Sequence, residues 1–248
     1  MDEPAVKEVK EVKEVKESVP KKKSQHCAML RLITIALSDG EKEGGFNPFS
    51  PFNRFDPLLS LLTLTDPTAS QVVTGLDSLN QGLSQVKGTD ESRDAIRHDL
   101  HLGLIEYFER VERVERVDLR KALVHKSLRE RKAAVIQEIE RTTGLVYGIG
   151  FLLAWVARGG SLNHRPAIEE AGVMFGVCYA IIGELKQADT SDLCWAYSYN
   201  DIVDLFTAKM NIFAKTCCRF KLLTPEVKRL YTSLLDNFKD GLTSLKVV

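Results

Sequence analysis

Apolar residues in the last quarter of the chain recur with helical spacing. Ile202, Phe206, Met210, Phe213, Cys217 and Phe220 fall four, four, three, four and three residues apart, which lines one face of a 3.6-residue helix. Val227, Leu230, Tyr231, Leu234, Leu235 and Phe238 do likewise. Thr224-Pro225 supplies a cap and a proline at the first helical position, and Gly241 can end the second helix. The pattern predicts a helical hairpin from segments near 194–222 and 225–240, with Phe206, Phe213, Leu230 and Leu234 mutually buried. Upstream, Asp56-Pro57, Asp66-Pro67 and Asp90 are further N-cap signals. They predict helices near 57–64, 67–86, 91–117, 119–141, 143–157 and 166–187. No alternating strand pattern of useful length follows residue 46. Residues 27–37 are apolar and fit either a strand or a helix.

Two central segments differ in kind, being apolar nearly all round. Gly144 and Gly148 stand four apart in one, Gly172 and Gly176 in the other. Glycine costs about 1 kcal/mol in a helix interior, so its paired use points to close backbone approach between these helices. Residues 1–23 instead repeat Val-Lys-Glu every three positions and end in Lys21-Lys22-Lys23. That period cannot hold valine on one helix face, so a solvated, disordered arm is expected. Phe46, Phe49, Phe52 and Phe55 recur every third position around Pro48 and Pro51. In polyproline II geometry the four rings would share one edge, a candidate protein-docking strip or a loop packed on its own domain. The predicted architecture is all-α: a charged arm and flexible lead-in over 1–45, a multi-helix bundle as main domain over 46–190, and a smaller C-terminal helical hairpin over 191–248.

Composition narrows the function classes. Lys plus Arg and Asp plus Glu both total 34, so the formal charge is zero and a uniformly basic nucleic-acid binder is unexpected. Five scattered cysteines without a Cys-x-x-Cys pair indicate neither a disulfide framework nor a zinc cage. The apolar stretch 142–157, bounded by Arg141 and Arg158, is shorter than the roughly 20 residues that span a bilayer, so a buried helix is expected there.

No catalytic constellation emerges. Asn200-Asp201-Ile-Val-Asp204 is superficially similar to a magnesium-binding helix of terpenoid synthases, but the chain has no Asp-Asp pair to oppose it. Ala122-Leu-Val-His-Lys-Ser127 is similar to a ribonuclease III signature, yet a basic stretch follows where that chemistry needs carboxylates. His98 and His101 are spaced to share a metal with a third ligand, though a surface pair explains them as well. No metal, cofactor or small-molecule substrate is expected. Charge placement is more informative. Over 119–132, Arg120, Lys121, Lys126, Arg129, Arg131 and Lys132 oppose only Glu130, a local net of 6 minus 1, or +5. On one continuous helix Lys121, His125, Arg129 and Lys132 would lie within an arc of about 80°. Val124, Leu128, Val135 and Ile139 would form an apolar stripe beside it. Such an edge suits the phosphates of nucleic acid or anionic lipid, or is a solvated face.

The order of features resembles the matrix proteins of the orthomyxoviruses, the influenza-type group. The resemblance covers about residues 91–215: a basic helix, glycine-rich apolar helices with Tyr147, Phe175-Gly-Val-Cys178-Tyr-Ala180, then a helical C-terminal part with Thr207-Ala208-Lys209. It implies a non-enzymatic, self-assembling protein at the inner face of a membrane inside the host cell and in the virion. Such a protein touches anionic lipid and ribonucleoprotein or RNA, with the six basic residues of 120–132 as the family's basic helix. The family's Cys-x-x-Cys and His-x-x-His arrangement is absent, since Ile181 stands where a second cysteine would and no histidine follows His164. The competing expectation is a helical adaptor that binds another protein through a core groove or the Phe-Pro loop.

Overall fold

Residues 21–38, 51–64, 67–85, 89–113 and 119–245 are described by the structure, a computed structural model. They form eleven α-helices, with no strand among the described residues. In order these are α1 (Lys21–Ser38), α2 (Asp56–Leu61), α3 (Ala69–Ser84), α4 (Asp90–Arg113), α5 (Leu119–Leu123), α6 (Leu128–Ile139), α7 (Leu145–Ala157), α8 (Arg165–Leu185), α9 (Asp192–Ala196), α10 (Tyr199–Arg219) and α11 (Pro225–Leu245). The expected arm over 1–20 lies outside the described residues.

The all-round apolarity of α7 and α8 follows from their place at the centre. α8 packs against α7, α10 and α11, while α1 covers the other side of α7. The glycines allow backbone contact. A Cβ on Gly172 would meet the Tyr147 carbonyl oxygen at 2.5 Å and the Gly148 Cα at 2.8 Å, so no larger residue fits there. Around this seam Phe151, Phe175 and Phe213 form an aromatic knot with centroids 5.3 to 6.0 Å apart. The segment 142–157 is accordingly buried within protein, and no helix among the described residues is long and apolar enough to cross a membrane.

α10 and α11 form the expected hairpin. Phe206 stacks on Phe238 at 3.7 Å, Phe206, Phe213 and Leu234 are buried, and Leu230 is half-buried. The hydrophobic core passes without a break across both expected domain limits. Leu30, Ile33 and Leu37 of α1 belong to it, as do Ile202 and Val227 of the hairpin. Residues 27–37, open between strand and helix, are thus helical, and their later part is core.

Two expected helices are interrupted. The segment 194–222 breaks between α9 and α10 because Ser198 starts a new helix: its hydroxyl accepts from the Asp201 amide, and the Asp201 carboxylate accepts from the Ser198 amide. The segment 119–141 breaks between α5 and α6 for the same reason at Ser127. α6 then passes into α7 through one π-helical turn, Glu140–Gly144, where the Thr142 hydroxyl bonds back to the Glu138 carbonyl. The resulting rod from Leu128 to Ala157 is ~45 Å long at 1.5 Å per residue.

Candidate functional site

The basic segment 119–132 is a corner. α5 ends at Leu123, and Ser127 caps α6: its hydroxyl accepts from the Glu130 amide, and Glu130 accepts from the Ser127 amide at 2.9 Å. Hydrogen bonding to Ser127 holds the Glu130 carboxyl below its ordinary range. Arg131 closes the turn from within, donating to the carbonyls of Lys126 (2.9 Å) and Val124 (2.6 Å), with its guanidinium 5.0 Å from the Trp195 ring. The single helix over 119–141, and with it the 80° basic arc, is therefore corrected to two helices meeting at a capped turn. Val124 and Leu128, expected in a packed stripe, are 50% and 57% exposed; Val135 is buried and Ile139 packs against the core.

Several of the six basic residues are engaged within the molecule. The Arg120 Nε lies 3.0 Å from Asp192, and its Nη2 donates to the Ser191 carbonyl at 2.8 Å. The Lys132 Nζ is 2.7 Å from Asp201 and 5.4 Å from the Tyr197 ring, while the Tyr197 hydroxyl donates to the Lys132 carbonyl. Hydrogen bonds from Lys132 and Ser198 pull the Asp201 carboxyl down to about 2. Burial, reinforced by Asp201 and Glu140, pushes the Tyr197 phenol up to about 12. Lys209 pairs with Glu140 at 2.7 Å about two turns further along the rod. These contacts clasp the α5–α6 corner to α9 and α10. The Lys126 Nζ lies 3.8 Å from Glu130, both more than half exposed, a pair worth little. Lys121, His125 and Arg129 are exposed.

The exposed residues of the corner thus include Lys121, Val124, His125, Lys126, Leu128 and Arg129, cations around two aliphatic side chains. Arg120, Arg131 and Lys132 act inward. Their partners Ser191, Asp192, Trp195, Tyr197 and Asp201 lie about 65 to 70 residues along the chain, so no local signal linked them. The two capping boxes were local signals, Ser127-x-x-Glu130 and Ser198-x-x-Asp201.

Of the phenylalanine strip, only the Phe55 side chain lies within the described residues. Phe55 is 1% exposed and packs in the core beneath α3, which corrects its assignment to a docking surface. Phe46, Phe49 and the side chain of Phe52 lie outside the described residues. His98 is exposed, and burial with the neighbouring charges of Arg97 and His98 lowers the pKa of His101. Among the described residues no three His, Cys, Asp or Glu side chains are placed to hold a metal. Burial pushes the Cys178 thiol up, and pushes Cys217 up to about 12, so neither is a ready nucleophile. No family model, curated protein or solved structure matches this chain.

Proposed function

We propose that this protein is a non-enzymatic structural protein of the matrix type, which docks on an anionic membrane surface through the α5–α6 corner and assembles with copies of itself. The observation that supports this reading is the exposure of Val124 and Leu128 among Lys121, His125, Lys126 and Arg129. Aliphatic side chains exposed singly are ordinary, but two within five residues of one turn and flanked by cations suit a lipid interface. The aliphatic groups enter the headgroup boundary and the cations meet lipid phosphates, each worth about 1 kcal/mol near an anionic surface. The location that follows is the inner face of a membrane, with ribonucleoprotein on the far side, as the orthomyxovirus resemblance implies.

Cosedimentation with phosphatidylserine–phosphatidylcholine vesicles across a salt series tests the reading. Binding should fall with salt and be absent on phosphatidylcholine alone. Lys121→Glu with Arg129→Glu should weaken it by about two decades, from two lost attractions and two added repulsions. Leu128→Ser should weaken it at every salt concentration. A monomer indifferent to these vesicles would favour the adaptor reading.

A further inference from the structure

At the opposite end of the rod, ~40 Å from Leu128, α7 and α10 finish side by side. Trp155 in the last turn of α7 and Phe220 directly after α10 have ring centroids 5.6 Å apart. His164, from the loop between α7 and α8, lies 4.9 Å from Phe220 and 6.3 Å from Trp155. The Arg219 guanidinium is 5.2 Å from the Phe220 ring. The indole is held in place: its Nε1 donates to the Ser161 carbonyl, and a Cβ on Gly160 would fall 2.1 Å from the ring. His164 and Arg219 are exposed, Trp155 and Phe220 half-buried. Together they form a cluster of rings at the surface, with the planes of His164 and Phe220 at 66° and 67° to the indole and 46° to each other.

Among the described residues the cations here lack carboxylate partners. Segments 155–165 and 213–225 contain no Asp or Glu. Arg165 is neutralised by Asp99 and Glu169. Among the described residues no carboxylate pairs with Arg158, Lys215, Arg219 or Lys221; Arg158 donates to the Leu37 carbonyl. Complementing helix dipoles accounts for only part of this: two helix C-termini carry about −1 between them, the second carboxylate at Arg165 adds another −1, and four cations still leave about +2.

The two helix ends also differ in an informative way. α7 closes with Gly159 N–H to Val156 and Gly160 N–H to Trp155, and Gly159 takes φ of +82°. α10 closes identically, Lys221 N–H to Cys218 and Leu222 N–H to Cys217, but a lysine occupies the left-handed position at φ of 55°. Glycine is the usual occupant of that position because a side chain there is strained. Strain carried by a cation beside an aromatic cluster is the kind kept at binding sites.

We propose that this end binds single-stranded nucleic acid, with a base stacked on the exposed His164 ring of the cluster it forms with Phe220 and Trp155, and phosphates on Arg158, Lys215, Arg219 and Lys221. Flat π-faces interleaved with cations are what an unpaired strand requires. Unlike the α5–α6 corner, neither segment presents a large exposed aliphatic group, which argues for bases over acyl chains. The site is independent of the membrane reading, and its separation from the corner lets one molecule hold both ligands.

The test is fluorescence anisotropy of a labelled single-stranded RNA of about ten nucleotides with the full chain. Affinity should fall with salt at a log–log slope of about −2 to −3. Lys215→Glu, Arg219→Glu and Lys221→Glu together should weaken binding at least about tenfold, and His164→Ala by roughly fivefold or more. Lys121→Glu with Arg129→Glu should leave it unchanged, which separates this site from the membrane reading. Absence of binding at low salt, or an unaffected triple variant of native helicity, would overturn the proposal. So would a silent His164→Ala with inorganic polyphosphate competing as well as RNA, which would leave an anion site without a base platform. Loss of vesicle binding in place of RNA binding in the triple variant would reassign the patch to lipid.

Discussion

The two basic ends of the α6–α7 rod are opposites in how their charge is held. Around α5 and α6 six cations crowd into fourteen residues, yet Arg120 and Lys132 are paired with Asp192 and Asp201, and Arg131 is turned onto backbone carbonyls and Trp195. Around the ends of α7 and α10 four cations are drawn from segments more than fifty residues apart, and no carboxylate pairs with them among the described residues. A dense cluster in sequence has therefore become partly a clasp, while a dispersed set has become a surface. Local net charge measures how many charges a segment carries. Only the fold decides how many are left to offer a partner.

The comparison treats both ends as parts of one cooperative body, and the largest expected effect tests that premise. Phe213, fully buried against Phe151, Phe175 and Tyr231, lies on α10 between the two ends. Phe213→Ala should cost about 3 to 5 kcal/mol, with Trp195 and Trp155 fluorescence reporting one coincident denaturant transition. Two separated transitions would show that the hairpin is a unit of its own.

Next in size is the clasp itself. Arg120→Ala removes the ion pair to Asp192 and one of the two hydrogen bonds to the buried Ser191 carbonyl, which keeps the Trp195 amide. Because both charged side chains are about a third exposed, the expected loss is about 1 to 1.5 kcal/mol by chemical denaturation. Arg219→Ala at the other end should change stability by less than about 0.5 kcal/mol. Equal losses would erase the distinction between the two ends.

Lys221→Gly sharpens it further, since relief of the left-handed lysine should raise stability by about 1 kcal/mol while weakening RNA binding. A gain in stability with no loss of affinity would mean that the lysine is there without a ligand to serve.

The smallest effect is confined to acid. The Asp201 carboxyl titrates at about 2 in the folded state against an ordinary 3.8, so between those values the unfolded chain binds more protons than the native one. The clasp's contribution is then complete above about pH 4 and is lost as pH falls towards 2. Asp201→Asn should flatten the stability profile over that window in urea titrations and leave the vesicle and RNA affinities at pH 7 in place.

Much of the helical content was legible because it is written in nearest neighbours. The periodic stripe of α10, the Thr224-Pro225 start of α11 and the glycine pairs of α7 and α8 each depend on residues within one or two turns. The breaks at Ser127 and Ser198 were legible too, as capping boxes, but continuous apolar and basic spacing across them outweighed two serines. Residues 27–37 were ambiguous because a short apolar run looks alike in a buried strand and a buried helix. The contacts of Leu30 and Thr34 with α7 resolve it.

By itself, then, the order of residues determined the all-helical class, the close seam between Gly144, Gly148, Gly172 and Gly176, and the amphipathic faces of the final hairpin. These follow from backbone sterics and hydrophobic periodicity, which act over a few residues. The tertiary structure decided what the sequence left open: that Phe55 is core, that Lys132 meets Asp201, and that Trp155, His164 and Phe220 share one surface. Those outcomes depend on how elements distant in the chain pack against one another. Electrostatic and aromatic contacts act over a few ångströms of space, whatever the number of residues between the partners.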